Sequence, residues 1–235
     1  MKIAHHWRIS NFKRGNTVAR EALGVFVNRE NPIDAIDYRT LVSLACGNDD
    51  QAELTWGVAG LSGKFEKEPV VIVGRDAKSG TRAFLRDYVF RGLPIRETDK
   101  QAESNFEVVS EITKNPFAAG ISSLRCGNHG AKLLHLKSNG VVIPSDEHSI
   151  LVGNYPLIQP LCLIFDMGQR GEAAIAAREF ALYALSQAGQ TDAILAGYFP
   201  FDPPSLRGQV ERIDFEKPID FESASAESNV KSLSR

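Results

Sequence analysis

The chain has 235 residues, of which 43% are hydrophobic and 24% are charged, and its formal net charge is −2. A charge so close to zero argues against the strongly basic surface of a nucleic-acid-binding protein, and no apolar run approaches the roughly 20 residues that a membrane-spanning helix needs. The length allows one large domain or two small lobes, so the composition predicts a soluble globular protein.

Apolar runs alternate with helical patterns along the chain, which favours an α/β fold. The predicted elements, in chain order, are a strand at 23–27, a helix at 38–45 that ends near Gly47, a strand at 70–73, a helix at 81–90, a helix at 104–114, strands at 119–124 and 133–136, and an extended stretch at 155–166. The last predicted helix spans 171–187 and ends near Gly189. Its predicted apolar stripe contains Ala177, Phe180, Ala181, Ala184 and Leu185.

The two ends of the chain carry little functional information. The first residues contain no apolar stretch typical of a secretion signal, which taken literally predicts a cytosolic protein. His5-His6 has no further ligand at metal-site spacing, so no metal site is predicted. The three cysteines form no CxxC pair and imply no disulfide framework. Residues 222–235 are small and polar and are predicted to form a flexible tail.

The segment after the predicted strand 70–73 has the composition of an anion-binding loop. Ser79 stands where the N-cap of the next helix is expected, and Gly80 lets a ligand approach the backbone closely. The first turn of a helix presents unpaired N–H groups and a partial positive charge. Thr81 adds a hydroxyl, and Arg75 offers a planar bidentate donor. The pattern therefore predicts an anion site made of Arg75, Ser79, Gly80 and Thr81.

Local chemistry leaves a plainer alternative open for each of these residues. A serine before a helix is usually only a cap, and a single arginine is often an ordinary surface charge. The segment is neither a GxxxxGK[ST] loop nor a GxSxG nucleophile elbow.

Arg75 with Ser79-Gly80-Thr81 resembles the RxxxSGT motif of the phosphate-binding component of phosphate ABC transporters. Other segments resemble the same family in the same order, from about Val18 to Leu206. They are residues 22–32 (ALGVFVNRENP), Trp56-Gly57, 115–120 (NPFAAG), 154–163 (NYPLIQPLCL) and 186–200 (SQAGQTDAILAGYFP). Their order and spacing make the resemblance more specific than the motif alone.

The resemblance implies a type II periplasmic-binding-protein fold, in which crossover strands join two α/β lobes around the ligand. On this chain it implies crossovers near 23–27 and 155–165, a second lobe at 28–152, and a remainder of the first lobe at 1–27 and 153–221. It implies a monomer in the periplasm that binds inorganic phosphate through Arg75, Ser79, Gly80 and Thr81 and delivers it to an ABC permease. No catalytic residue, metal or cofactor is expected.

The chain departs from the family pattern in three places. Residues 1–21 match neither the family's signal peptide nor its first strand and Gly-, Ser- or Thr-rich loop, which carries ligand contacts of the first lobe. Gln159 stands where the family usually has Arg, and Gly120-Ile121-Ser122 replaces the usual Gly-Tyr. We therefore expect an N-terminally truncated form with an incomplete first lobe, or a diverged member that a partner completes. On the expectation of a truncated form, the absent signal peptide is part of the same missing N-terminal segment.

Other functions remain open from the sequence. A secreted phosphatase of the same fold would use Ser79 or Thr81 as a nucleophile and would need a base, for which His129, His135 and His148 are candidates. A cytosolic anion sensor would agree with the absent secretion signal. Sulfate, molybdate and tungstate binders share the implied architecture, so the identity of the anion is open as well.

Overall fold

The computed structural model describes residues 16–47, 54–127, 129–163 and 171–214, and their mixture of strands and helices confirms the predicted α/β class. The strands are β1 (Asn16–Asn28), β2 (Ala35–Asp37), β3 (Val71–Arg75), β4 (Lys100–Ala102), β5 (Ala118–Ser123), β6 (Ala131–Leu133), β7 (His135–Ser138), β8 (Val141–Ile143) and β9 (Ile158–Leu163). The helices are α1 (Tyr38–Cys46), α2 (Gly80–Phe84), α3 (Asn105–Ile112), α4 (Glu147–Leu151), α5 (Glu172–Leu185), α6 (Gln187–Leu195) and α7 (Pro203–Asp214). The predictions for His5-His6 and for the tail 222–235 lie outside the described residues.

The chain divides into two compact units. Of the described residues, one unit contains those between 21 and 159, and the other contains 16–20 together with those between 160 and 214. The chain therefore passes between the units within β1 and again within β9. The lobe boundaries that the family resemblance implied, at 27/28 and 152/153, remain a prediction.

The main sheet of the first unit has the strand order β4-β3-β5-β1-β6, and β9 also pairs with β1. Strands β4, β3 and β5 run parallel, whereas β1 runs antiparallel to both β5 and β6. Phe26 of β1 is opposite Gly120 of β5 and Leu133 of β6. Strand β1 extends well beyond the predicted 23–27, because its polar first residues lie outside the apolar run that marks a strand in sequence.

Helix α3 packs on this sheet through its apolar face. Val108, Val109 and Ile112 are fully buried and join the core cluster that contains Phe26 and Val73. The predicted helix 104–114 is confirmed, since Ser104 caps its start by accepting a hydrogen bond from the Glu107 N–H at 3.1 Å. The end of the helix is satisfied by a residue distant in sequence: the Asn28 amide donates to the carbonyl oxygens of Ile112 and Thr113.

The second sheet of this unit has the order β2-β7-β8. The prediction of one strand at 133–136 is wrong, because the chain changes partners inside that run. Strand β6 ends at Leu133 in the main sheet, Leu134 donates its N–H to the Val25 carbonyl, and His135 begins β7 in the second sheet. An apolar run does not reveal such a change, since Leu134 and Leu136 are both fully buried on either side of it.

The second unit is built around the start of β1 and three helices. Val18, Ala181, Leu185 and Ile213 form its buried cluster. Gln190, itself buried, donates to the carbonyl oxygens of Val18 and Ala184 at 2.8 Å each, so it ties α6 to the strand and to α5. The predicted stripe of the helix at 171–187 is wrong at Phe180, whose surface is 58% exposed.

The predicted helix stop at Gly189 is also wrong. Helix α5 ends at Leu185, and Ser186 starts a new helix by accepting a hydrogen bond from the Gly189 N–H at 3.2 Å. Gly189 instead lies within α6. Serine is a strong N-cap, and here it ends one helix by beginning another. The stop predicted at Gly47 is confirmed, since α1 ends at Cys46 and Gly47 has a φ of +79°. None of the helices described is both long enough and apolar enough to cross a membrane.

Candidate functional site

The carboxyl ends of β3, β4 and β5 meet at one edge of the main sheet. Arg75 at the end of β3 is in register with Ala102 at the end of β4, and Val73 is in register with Gly120 of β5. Ser122 and Ser123 at the end of β5 therefore emerge at the same edge as Arg75. In open α/β sheets this edge is where ligands bind. The predicted site thus stands where the topology favours one.

The loop from β3 into α2 is held by its own polar groups. The Asp76 carboxylate accepts from the Lys78 N–H at 3.1 Å, and the Asp76 carbonyl accepts from the Ser79 N–H at 3.2 Å. Ser79 has extended backbone angles, and its hydroxyl accepts from the Arg82 N–H at 3.4 Å. The predicted N-cap is therefore confirmed. The chain continues beyond α2 as one π-helical turn at Leu85–Val89.

Ser79, Gly80 and Thr81 lie together at the start of α2 but differ in exposure. Ser79 and Thr81 are buried, whereas Gly80 is exposed, and a Cβ atom at Gly80 would meet nothing within 4 Å. The N–H groups of a first helical turn have no acceptor within the helix itself. A glycine with open space beside it leaves these donors accessible to a ligand.

The Arg75 guanidinium has a neutral partner. Its Nη1 donates to the Asn105 side-chain oxygen at 3.2 Å, and its Nε is buried and has no acceptor among the described residues. No carboxylate in the described part of the chain forms an ion pair with it. A part-buried cation normally acquires a counter-charge, because burial removes its hydration. Arg75 therefore offers an uncompensated positive charge at this edge of the sheet.

A nearby thiol does not supply the missing negative charge. Cys126 is fully buried and close enough to Arg75 and Ser122 to interact with both. Burial raises the pKa of the Cys126 thiol above its ordinary value, and this effect outweighs the opposing effects of Ser122 and Arg75. The thiol is neutral at physiological pH, so the positive charge of Arg75 remains.

The neighbouring Arg82 has a structural task. Its guanidinium donates to three backbone carbonyl oxygens, those of Arg75 at 3.4 Å, Ile95 at 3.3 Å and Arg96 at 3.1 Å. These contacts join the first turn of α2 to the end of β3 and to the segment before β4. Arg82 thereby holds the loop that presents Ser79 and Gly80.

Replacement of Arg82 by Met is expected to lower the free energy of unfolding by about 1.5 kcal/mol, because three carbonyl groups lose a charged donor. Arg82→Lys is expected to lose most of the same stability, since one ammonium group does not span three acceptors. Urea unfolding followed by circular dichroism measures both variants. Wild-type stability in Arg82→Lys would show that charge alone matters and that the three contacts do not.

The sequence missed two polar side chains at this edge. The Ser122 hydroxyl, fully buried, donates to the Asn105 backbone oxygen at 2.7 Å. Ser123 is also fully buried, and its hydroxyl has no partner among the described residues. The signal available in the sequence was the change from apolar to polar residues at the end of β5, which matches the change at Arg75 after β3.

The histidines named as candidate bases belong to segments other than the loop between β3 and α2. His135 belongs to β7 of the second sheet, where its Nδ1 accepts from the Ser145 N–H at 3.2 Å, and His148 belongs to α4. His129 is exposed in the turn before β6. Within the described ranges, no hydrogen bond joins any of the three to Ser79 or Thr81, and no cluster of His, Cys, Asp or Glu is placed to hold a metal ion.

Comparison with known proteins places the chain in a family. A family model described as the PBP superfamily domain matches residues 13–188. The chain belongs to the PBP superfamily. The matched residues contain every element of the candidate site, from β3 to β5.

Solved structures agree with this PBP superfamily assignment. A crystal structure from Planctomyces limnophilus DSM 3776, named as a possible phosphate binding protein, superposes with a TM-score of 0.67 at 18% identity, over 86% of this chain and 72% of that one. An ABC-type phosphate transport receptor from Vibrio cholerae gives a TM-score of 0.62 at 20% identity, over 78% of this chain and 70% of that one. These likenesses confirm the predicted periplasmic-binding-protein fold.

Among curated proteins, the phosphate-binding protein PstS of Pseudomonas aeruginosa is 25% identical to this chain over 190 residues. The match covers 78% of this chain and 58% of that protein. A phosphate-binding protein PstS 2 of Streptococcus agalactiae is 28% identical over 155 residues, which are 62% of this chain and 50% of the relative. The chain thus spans between half and three fifths of the length of these relatives.

Proposed function

We propose that this chain binds inorganic phosphate, or a similar tetrahedral oxyanion, as the substrate-binding component of an ABC transporter. The observation that carries the proposal is the Arg75 guanidinium, which lies at the carboxyl edge of the sheet without a carboxylate partner among the described residues. An anion at this position would supply the missing counter-charge. The names of the relatives, which are phosphate-binding proteins, support phosphate as the anion.

The proposed ligand residues are Arg75, Ser79, Gly80 and Thr81. Arg75 donates through its planar guanidinium, the first turn of α2 donates through backbone N–H groups, and the hydroxyls of Ser79 and Thr81 donate or accept according to the protonation of the anion. Each charge-assisted hydrogen bond contributes about 1.5–3 kcal/mol. Three or four such bonds support a Kd in the micromolar range or below after the cost of association.

The same proposal includes the oligomeric state, the location and the partner of the chain. The chain acts as a monomer in the periplasm, collects its anion there and delivers it to a membrane permease. It does so as a binding protein and not as a catalyst. The donors proposed at the site hold an oxyanion and do not attack it: a serine or threonine nucleophile requires an activating base within hydrogen-bond reach, and no histidine in the described ranges is hydrogen-bonded to Ser79 or Thr81.

Isothermal titration calorimetry with phosphate, sulfate and molybdate tests the proposal. The expected result is saturable binding of one phosphate per chain at micromolar concentration or below. Incubation with p-nitrophenyl phosphate is expected to release no p-nitrophenol. Absence of binding for all three anions would remove the proposed function, and turnover of the ester would assign the chain to the phosphatase alternative.

A further inference from the structure

We propose that Asn105 is a positioning residue of the anion site: it orients the Arg75 guanidinium through a neutral acceptor and thereby leaves the positive charge of Arg75 available to the ligand. This inference rests on the proposed function, because it concerns the same site. Asn105 is the first residue of α3 and follows Arg75 by 30 positions.

The choice of partner distinguishes Arg75 from Arg86 and Arg96. Arg86 pairs with the Asp87 carboxylate at 2.6 Å, and Arg96 pairs with the Asp99 carboxylate at 2.9 Å. The Nη1 of Arg75 instead meets an amide oxygen at 3.2 Å. An amide fixes the direction of the guanidinium as a carboxylate would, but it carries no charge to cancel.

The backbone of Asn105 is held in place from two sides. Its carbonyl oxygen accepts from the buried Ser122 hydroxyl of β5 at 2.7 Å. Ser104 caps the start of α3, and the Glu107 carboxylate accepts from the Glu103 N–H at 2.7 Å, so the first turn is fixed reciprocally. The Asn105 backbone is therefore anchored to the edge of the sheet, and from this position its side-chain oxygen accepts from Nη1 of Arg75.

The rest of the Arg75 guanidinium has no acceptor in the part of the chain that the structure describes. Neither Nη2 nor Nε of Arg75 has a hydrogen-bond acceptor within the described ranges, and Nε is buried. Buried donors are nearly always paired in folded proteins. With Nη1 occupied by Asn105, the remaining donors and the whole charge of Arg75 are directed to a ligand.

The isosteric substitution Asn105→Asp separates this role from a merely structural one. Aspartate keeps an oxygen at the same place but adds a negative charge, which cancels the charge of Arg75 and repels the incoming anion. The same carboxylate is favourable at the start of a helix, because it complements the helix dipole. A positioning role therefore predicts weaker anion binding in a variant whose fold is at least as stable.

Calorimetric titration with phosphate at pH 7.5 compares the wild type with Asn105→Asp, Asn105→Ala and Asn105→Gln, and urea unfolding of each variant provides the stability. Asn105→Asp is expected to bind about tenfold more weakly than the wild type, because a unit charge a few ångströms from the ligand acts in a partly screened environment. Asn105→Ala, which removes the acceptor without adding charge, is expected to lose about threefold. Asn105→Gln retains an amide oxygen and is expected to lie closest to the wild type.

The order of the affinities decides the proposal. A purely structural role predicts that Asn105→Asp, which keeps the hydrogen bond, binds better than Asn105→Ala, and that order would overturn the inference while leaving the proposed function intact. Wild-type affinity in Asn105→Ala would also overturn the positioning role of Asn105. This second variant keeps the test decisive if Asn105→Asp does not fold. Failure of the wild-type chain to bind phosphate would remove the proposed function, and the inference with it.

Discussion

Replacement of Arg75 by Met is expected to weaken phosphate binding about a hundredfold. The variant keeps an unbranched apolar side chain but removes the planar donor and the charge that no described carboxylate compensates. Two charge-assisted hydrogen bonds at about 1.5 kcal/mol each account for a loss of this size. Calorimetric titration with phosphate measures the affinity, and urea unfolding shows whether the sheet edge survives the substitution.

Arg86→Met is the matched control for Arg75→Met. It removes the same group and changes the net charge equally, but Arg86 is exposed and pairs with the exposed Asp87. Its affinity for phosphate is expected to stay within about twofold of the wild type, since exposed ion pairs contribute little. Equal losses in both variants would reduce the role of Arg75 to net charge and would contradict a specific site at β3.

Ser79→Ala probes the same site through the start of α2. Because the Ser79 hydroxyl already accepts from the Arg82 N–H, its loss removes a cap as well as a proposed ligand contact. Arg75→Met therefore tests a charge that is proposed to act on the ligand, whereas Ser79→Ala tests a hydroxyl that also caps the helix.

Local signals in the sequence predicted the parts of the site that depend on local chemistry. The change from the apolar residues of β3 to Arg75, and the small polar residues before α2, indicated both the strand end and the cap, and the structure confirms both. A cap is decided within a few residues by one hydroxyl and one N–H. The start of α3 at Ser104 was predictable for the same reason.

The contacts between distant segments were not predictable from the sequence. Asn105 meets Arg75 only because β3 and β5 are neighbours and α3 packs across them, and no local pattern encodes that arrangement. The change of sheet at Leu134 has the same origin, since it depends on which strand lies opposite. Phe180 and Gly189 were mispredicted for a related reason. The apolar pattern of a helix does not show whether another element covers a residue such as Phe180, or whether the backbone of another helix lies close to a residue such as Gly189.

Replacement of Gly189 by Ala is expected to lower the free energy of unfolding by about 2–3 kcal/mol. A Cβ atom at Gly189 would overlap the Tyr183 carbonyl oxygen and would lie 2.8 Å from the Ala184 Cα and 2.9 Å from the Ala184 oxygen. These are backbone atoms of α5, so they do not yield as a side chain would, and α6 would have to move away. Urea unfolding followed by circular dichroism measures the loss.

Gly208→Ala is the control that isolates this steric effect from helix propensity. Gly208 lies within α7 of the same unit, and a Cβ atom there would meet nothing within 4 Å. Alanine favours a helix over glycine by up to about 1 kcal/mol, so this variant is expected to be as stable as the wild type or more stable. Replacement of glycine by alanine is thus expected to lower the free energy of unfolding at Gly189 but not at Gly208. A gain in both variants would mean that α5 and α6 do not approach closely at Gly189, and the glycine would then return to the role of a simple helix breaker that its sequence position suggested.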